Sequence, residues 1–274
     1  MSAAAVGLCA DSSAQLSIEL ADSVGALVVP VPVSVDGDSF EEGVDLDPDW
    51  FYERLAAGAH ATTSQPNPAR FLRAYEDAAA AGARRILSLH LSGSASGTVQ
   101  AARTAAEAAP VPVTVVDSGT TSFGVGLCVL EAARALARGA PVGQAAAGAV
   151  RLGARLGNVF VAAGAPGGRV PAAPERPVFS FADGSATRLA AAARDDDAVA
   201  VMAEHIAARE GPLGVAIGHA AAETEAWADL LAEQLAQAKI AELLRYRVGP
   251  SVGAHTGPWS YGAFWWRRDQ PARG

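Results

Sequence analysis

The sequence predicts an α/β fold with two domains: a parallel-sheet N-terminal domain with helices on both faces, and a smaller mixed α+β C-terminal domain. In residues 1–153, short apolar runs alternate with helical patterns, which is typical of parallel strands joined by crossover helices. In residues 154–274, helices are mixed with a hairpin signal around Asp183-Gly184, which favours antiparallel strands. The 274 residues are enough to bury a large core.

In the N-terminal domain, each element is predicted from the residues that begin and end it. Strands are predicted at 6–10, at 26–35, from Arg85 onward and at 113–116. Helices are predicted after Asp11-Ser12-Ser13 as far as Ser23, and then at 48–57, 68–81, 98–108, 124–138 and 142–152. Pro30 and Pro32 remove ladder donors, so the second strand is predicted to be an edge strand or an irregular extension. Asp36-Gly37 predicts a turn that suits a hairpin. Residues 61–68 contain two prolines and are predicted to be irregular.

The remaining elements follow from the same signals. The helix that begins at Asp47-Pro48 is predicted to bury Trp50, Phe51 and Leu55 on its apolar face. In the C-terminal domain, strands are predicted at 158–162, 178–181, 185–191, 213–217, 243–248 and 261–266, helices at 195–208 and 223–237, and loops at 164–174 and 249–258.

Charge and cysteine content exclude several classes of function. The net charge of −8 provides no excess of Lys and Arg for nucleic acid or for an anionic membrane surface, so neither is an expected partner. Apolar runs are too short to cross a bilayer, so stable membrane insertion is not expected. Cys9 and Cys128 are predicted to be buried free thiols in a reducing cytosol, and residues 1–10 to be a first strand rather than a signal peptide. The expected location is therefore cytoplasmic.

Hydroxyl-rich turns follow three of the predicted parallel strands: Asp11-Ser12-Ser13, Ser92–Ser96 and Asp117–Ser122. Ligands of parallel sheets bind beyond the carboxyl ends of the strands, so these turns are expected to converge. The Ser92–Gly97 turn leads into a helix from Thr98, and small residues before a helix N-terminus suit a carboxylate or a phosphate. The alternative is that the serines only cap the helix.

Most catalytic and metal-binding patterns are absent from the sequence. A hydrolase elbow requires Ser at the centre of Gly-x-Ser-x-Gly, and Gly93-Ser94-Ala95-Ser96-Gly97 has Ala95 there. No two histidines are spaced as metal ligands, and no nucleotide-binding glycine motif is present. Asp195, Asp196 and Asp197 are interpreted as acids that complement a helix dipole. His255 is a candidate because it lies in a predicted loop bounded by Gly and Pro.

Taken in order along nearly the whole chain, the polar segments of this sequence resemble those of the DegV-like fatty-acid-binding proteins. The likeness rests on Asp11-Ser12-Ser13, Asp36-Gly37 with Gly43-Val44-Asp45-Leu46, Thr62-Thr63-Ser64-Gln65-Pro66, His90-Leu91-Ser92 with Ser96-Gly97-Thr98, Val116-Asp117-Ser118, Gly167-Gly168-Arg169 and Gly253-Ala254-His255-Thr256-Gly257-Pro258.

The resemblance implies a long apolar tunnel between two α/β domains, which holds one long-chain fatty acid. It implies that the carboxylate is bound by Thr63, Ser96 and His255. The supporting candidates that it adds are Ser64, Ser92, Thr98, Arg169 and Thr256. It implies no cofactor, no metal and no chemistry by the protein itself. Family members can present the carboxyl group to a partner fatty acid kinase, which phosphorylates it.

The sequence departs from the family pattern in two places. Val170–Pro177 is short and Pro-rich where the family usually has a longer Leu-rich segment, so the expectation is a tunnel that is shortened or opened there. Arg194 matches the family and is a candidate partner contact. The acids Asp195, Asp196 and Asp197 follow it where the family tends to be basic, and they would repel a kinase surface that a basic segment attracts.

Two other functions stay open on the sequence. The chain can be a binding or regulatory module for another small anion, if the departure at Val170–Pro177 removes the tunnel. It can also be a serine-dependent acyl hydrolase that uses Ser96 and His255, although Ala95 argues against this.

Overall fold

The computed structural model describes residues 5–162, 175–182 and 185–268. The chain divides into two compact units. Unit 1 consists of Met1–Val33, Ser39–Asp45 and Thr63–Ala154, and unit 2 consists of Ser34–Asp38, Leu46–Thr62 and Arg155–Gly274. The chain therefore passes between the units five times, and the last passage lies between Ala154 and Arg155.

The helices and strands are numbered in chain order. The strands are β1 (Val6–Asp11), β2 (Ala26–Val29), β3 (Pro32–Val35), β4 (Asp38–Glu41), β5 (Ala61–Thr63), β6 (Arg85–His90), β7 (Val113–Asp117), β8 (Gly157–Val161), β9 (Arg176–Ala182), β10 (Ser185–Ala192), β11 (Leu213–His219), β12 (Ile240–Arg247) and β13 (Tyr261–Arg267). The α-helices are α1 (Ile18–Val24), α2 (Pro48–Ala56), α3 (Pro68–Ala80), α4 (Thr98–Ala106), α5 (Phe123–Ala137), α6 (Val142–Gly153), α7 (Asp195–Ala207), α8 (Glu225–Gln234) and α9 (Pro250–Thr256).

Unit 1 contains a four-stranded sheet in the order β2-β1-β6-β7, and its strands are all parallel. Alternation along the strands divides the buried residues between two faces. Leu8 and Leu87 pack in one cluster with α5 and α6, and Cys9 and Ile86 pack in another with α3 and α4. Helices therefore cover both faces, which confirms the predicted parallel α/β fold.

Unit 2 contains a six-stranded sheet in the order β10-β9-β8-β13-β11-β12. Strands β11 and β12 are parallel, and the other neighbours are antiparallel, so the predicted mixed domain is confirmed. Helices α7 and α8 pack on this sheet through Met202 and Leu231. Strands β9 and β10 form the predicted hairpin, whereas Asp183-Gly184 lies outside the described residues.

A small sheet in the order β4-β3-β5 confirms one prediction and corrects two others. Asp36 and Gly37 both have positive φ, 52° and 98°, which suits the tight turn of the predicted β3–β4 hairpin. The run 26–35 forms two strands rather than one: β2 is an edge strand, and Pro32 begins β3. Residues 61–68 are not wholly irregular, because β5 forms before the first proline, where β-branched threonines favour a strand.

Three helix predictions are also corrected. The helix expected directly after Asp11 is a short 3₁₀ turn, and α1 begins only at Ile18. In α2, Asp47 caps the helix as predicted, but Tyr52 is buried and Trp50 is 40% exposed, because the apolar face follows the i, i+1, i+4 spacing of residues 51, 52 and 55. Residues 249–258 are not a loop, because α9 begins at Pro250.

The thiols of Cys9 and Cys128 are free and buried, as predicted, and burial raises the pKa of each to about 12. Both are therefore protonated and unreactive at neutral pH. Among the described residues, we find no helix with the length and apolar character that crossing a membrane requires.

Candidate functional site

The turn between β6 and α4 is held to the turn that follows β7. The backbone N–H of Ser92 donates to the carbonyl oxygen of Thr120 (2.8 Å), and the N–H of Gly93 donates to Oδ2 of Asp117 (3.0 Å). The other oxygen of that carboxylate accepts from the N–H of Gly119 (2.9 Å). Two of the three hydroxyl-rich turns therefore meet at the carboxyl edge of the parallel sheet, as their positions in the sequence predicted.

Ser96 lies at the N-terminus of α4. Its hydroxyl shares a hydrogen bond with the Thr98 hydroxyl (2.9 Å) and accepts one from the Thr98 backbone N–H (3.3 Å). The N-cap residue of α4 is Gly97, which offers no capping side chain. The helix start thus presents two linked hydroxyls beside the N–H groups and partial positive charge of a first turn, which is an arrangement that suits an anionic oxygen.

Thr63 reaches the same region of unit 1 through Gln65. Thr63 ends β5, and the N–H of Ser64 donates to the carbonyl oxygen of Pro32 (3.1 Å). The Gln65 side chain then lies against Gly97: a Cβ atom at Gly97 would stand 1.7 Å from Oε1 of Gln65. The segment that carries Thr63 and the turn that carries Ser96 are therefore in contact. Gln65 belongs to the Thr-Ser-Gln-Pro motif, but nothing in its own sequence position predicts a contact with Gly97.

His255 belongs to unit 2, where it lies in the last turn of α9. Its side chain is exposed, but enough protein surrounds the ring for burial to lower the pKa of the imidazole below its usual value. The neighbouring Thr256 hydroxyl donates to the carbonyl oxygen of Val252 (3.3 Å) and shares a hydrogen bond with the Ser260 hydroxyl (2.9 Å). Thr256 therefore has a structural role within α9 and the connection that follows it.

The acidic cluster at the start of α7 is largely explained by structure. The carboxylate of Asp195 accepts from Nε of Arg176 (3.0 Å) and from the buried Tyr261 hydroxyl (2.9 Å). Exposed Arg194 pairs with Asp197 (3.4 Å). Within the described ranges there is no group of His, Cys, Asp and Glu that could hold a metal ion. Arg169 and residues 170–174 lie outside the described residues.

A buried chain of polar side chains underlies the β6–α4 turn, and the sequence analysis missed it. The Tyr75 hydroxyl donates to Oγ of Ser88 (3.0 Å), which contacts Nε2 of His90 (2.6 Å). Nδ1 of His90 contacts Oδ2 of Asp11 (2.9 Å), and the other oxygen of Asp11 accepts from the N–H of Ser13 (3.2 Å). The period-two alternation of β6, which places residues 88 and 90 on one face, was the signal for it.

Ser88, His90 and Asp11 are connected in the order of a nucleophilic triad, but the setting does not suit catalysis. All three side chains have no exposed surface, so a substrate cannot reach the Ser88 hydroxyl. The chain instead links β1 to the last residue of β6, directly before the turn that carries Ser96. Its role is therefore structural support for that turn.

Burial lowers the pKa of three histidines of unit 2, which are His205, His219 and His255. Arg209 adds to the effect of burial at His205. At His219, Arg247 and Arg245 lower the pKa further, while the Ala221 carbonyl and Glu225 oppose this shift.

These shifts predict that unit 2 loses stability in mild acid. Between the lowered values and 6.5 the unfolded chain binds more protons than the folded protein, so the free energy of unfolding falls as the pH falls below 6.5. The thermal unfolding midpoint should therefore be lower at pH 5.5 than at pH 7.5. The carboxyl groups of Asp36 and Asp49, whose pKa values are lowered from 3.8, titrate below this window. The variant H205Q/H219Q should show a smaller change, and an equal change would contradict the assignment.

Comparisons with known proteins agree with this fold. The family model described as uncharacterised protein, DegV family, matches residues 5–163 and 175–268. A DegV domain-containing protein of Streptomyces coelicolor is 34% identical over 269 residues, covering 92% of this chain and 95% of the relative.

Solved structures show the same architecture. A structure described as fatty acid binding of a DegV family protein from Thermus thermophilus superposes with a TM-score of 0.86 at 30% identity, and covers 96% of this chain and 100% of the other. A structure of DegV from Bacillus subtilis, described as a fatty acid binding protein, matches with a TM-score of 0.84 over 97% of this chain and 100% of the other. Its identity is 22%, so it supports the fold alone.

Proposed function

The chain belongs to the DegV family, and on that basis we propose that it is a carrier that binds one long-chain fatty acid. The observation that carries the proposal is the contact between Gln65 and Gly97, which joins the Thr63 segment to the Ser96 turn at the N-terminus of α4. The fatty acid binding described for the Thermus thermophilus relative supports it.

In this proposal the three principal donors to the carboxylate carry no formal positive charge. Thr63 and Ser96 donate through their hydroxyls, and His255 donates through an imidazole N–H. Several donors are needed, because a carboxylate that leaves water loses its hydration. Ser64, Ser92, Thr98, Arg169 and Thr256 are the supporting candidates.

The acyl tail provides most of the binding free energy in this scheme. Each buried methylene contributes about 0.8 kcal/mol, so apolar side chains suffice and the protein requires neither a cofactor nor a catalytic group. The proposed role is carriage in the cytoplasm rather than catalysis.

We also retain the division into domains at 1–153 and 154–274 as a prediction.

Presentation of the carboxyl group to a partner fatty acid kinase is a separate part of the proposal. Arg194 is the candidate contact, but it pairs with Asp197 and lies beside two further acids. A partner that contacts Arg194 has to compete with that ion pair and with the local negative charge.

Solvent extraction of the purified protein, followed by mass spectrometry, tests the binding function. We expect one long-chain fatty acid for each chain. The triple variant T63A/S96A/H255A should retain less than a tenth of it, since each hydrogen bond to a charged group is worth about 1.5–3 kcal/mol. T104A, which removes an exposed hydroxyl further along α4, is the matched control and should stay loaded.

Other outcomes of the same experiment would contradict the proposal. A chain that carries a polar anion and no lipid would be a module for a small anion. Turnover of acyl esters that is lost in Ser96→Ala would indicate a hydrolase. A triple variant that folds and stays fully loaded would remove the three residues from the site.

A further inference from the structure

We propose that Tyr52 is a positioning residue for His255 and acts on it through helix α9. The inference rests on the proposed function, because it takes His255 as a ligand of the fatty acid carboxylate. It adds a residue that lies on α2, about 200 positions earlier in the chain.

Helix α9 depends on its neighbours for its position. It has seven residues, and its N-cap, Gly249, has no side chain with which to cap it. Isolated helices of this length are unstable in water, because nucleation costs more than a few hydrogen bonds return. The direction in which His255 points is therefore determined by the groups that α9 packs against.

Tyr52 contacts both the segment that leads into α9 and the helix itself. Its hydroxyl donates to the carbonyl oxygen of Val248 (2.5 Å), two residues before the helix begins. Beside the middle of the helix, a Cβ atom at Gly253 would lie 2.4 Å from the same hydroxyl oxygen, so the phenol occupies the space of a side chain there. Tyr52 is 1% exposed, and both contacts are within unit 2. The phenol thus holds the entry and the centre of the helix that carries His255.

Tyr52 is itself held in place by Arg247. The guanidinium carbon lies 5.8 Å from the centre of the Tyr52 ring, and Nη2 bonds to the carboxylate of Asp49 (2.5 Å), three residues earlier on α2. Nε of Arg247 donates to the carbonyl oxygen of Ala220 (3.2 Å). The end of β12 and the first turns of α2 are therefore linked around the ring.

Tyr52→Phe separates this role from simple packing. The ring stays, and its carbons still lie within 2.9 Å of where a Cβ atom at Gly253 would stand, but the Val248 carbonyl loses its buried donor. If Tyr52 acts through His255, its hydroxyl has no effect on the ligand once the imidazole is gone.

A double-mutant cycle with oleic acid tests this, using calorimetric titration of the delipidated full-length protein. We expect His255→Ala to weaken binding about tenfold and Tyr52→Phe to weaken it about threefold to tenfold. The double variant should bind no more weakly than His255→Ala alone. Tyr261→Phe, which removes another buried hydroxyl of unit 2 that bonds to Asp195, is the matched control and should leave the affinity unchanged.

Different results would contradict the positioning role of Tyr52, the assignment of His255 and the proposed function. Additive losses in the double variant, or a Tyr52→Phe variant that binds like wild type while His255→Ala does not, would overturn the positioning role alone. Wild-type affinity in His255→Ala would remove both that role and the assignment of His255. If no form of the protein binds oleic acid, the proposed function fails as well.

A second measurement does not depend on the ligand. The His255 imidazole resonance, followed by NMR during a pH titration, should shift in Tyr52→Phe and in Gly253→Ala and stay in place in Tyr261→Phe. An unchanged titration in every one of these two variants that can be purified would contradict the proposal, so one stable variant is enough for the measurement.

Discussion

Replacing Gly153 by alanine should destabilise unit 1 by about 1–3 kcal/mol or more, since this is the usual cost of overpacking a core. A Cβ atom at this position would lie 2.1 Å from the backbone oxygen of Ser118 and 3.4 Å from Sγ of Cys128. A backbone oxygen cannot swing aside as the end of a side chain can. The end of α6 and the turn after β7 would therefore have to move apart, which also disturbs the turn that holds Ser92.

Two glycines of the same helix provide controls for this substitution. A Cβ atom at Gly143 meets nothing within 4 Å, and at Gly148 it meets only the end of the Arg151 side chain at 3.8 Å. Alanine at either position should be neutral or should stabilise the helix by up to about 1 kcal/mol, because alanine has the higher helix propensity. Urea unfolding of the three variants measures the difference. Equal stability of Gly153→Ala and Gly143→Ala would show that the contact with Ser118 is not restrictive.

Replacing Asp11 by alanine should cost at least about 3 kcal/mol in the free energy of unfolding, because several buried polar groups lose their partner and each one left unsatisfied costs about 1–3 kcal/mol. The substitution leaves Nδ1 of His90 and both the N–H and the hydroxyl of Ser13 without their carboxylate partner at a buried site. Because His90 directly precedes the β6–α4 turn, we expect the variant to lose bound lipid together with its stability.

An exposed carboxylate of the same unit serves as the control for that change. Asp77 pairs with Arg73 across one turn of α3 at 3.9 Å, and both side chains are largely exposed. Asp77→Ala should therefore change the free energy of unfolding by less than about 0.5 kcal/mol. A stability of Asp11→Ala within 1 kcal/mol of that of Asp77→Ala would mean that the buried chain contributes little.

Elements that local chemistry determines could be predicted from the sequence. Asp47-Pro48 and Asn67-Pro68 each begin a helix, because a side-chain cap and a preset φ act within one turn. Asp36-Gly37 forms the expected turn, because few residue pairs tolerate two positive φ angles. Such signals act over about four residues, so they survive in the folded chain.

Elements that distant contacts determine could not be predicted. Helix α9 was missed because Gly and Pro together usually indicate a loop, as at Gly249-Pro250. In the folded protein the helix packs against Tyr52 on α2, and the local sequence does not show this contact. The position of Tyr52 was missed for the same reason, since its partner, Val248, lies 196 residues away. Periodicity alone could not separate Tyr52 from Trp50 on so short a helix.

The candidate site was partly predictable. The convergence of the turns after β6 and β7 follows from parallel strand order, which the alternation of strands and helices indicated. The alternation of β6 places Ser88 and His90 on one face, but their partners Tyr75 and Asp11 lie in two other segments, so the buried chain as a whole could not be predicted.

The interleaved path of the chain affects how it is made on the ribosome. Tyr52 is synthesised 196 residues before Val248, and at about 5–20 residues per second that interval lasts roughly 10–40 s. Throughout it, the Tyr52 side chain lacks the Val248 carbonyl and the Gly253 backbone that cover it in the folded protein, and apolar surface left open on a nascent chain favours aggregation. A fragment truncated near residue 153 would keep that surface open indefinitely.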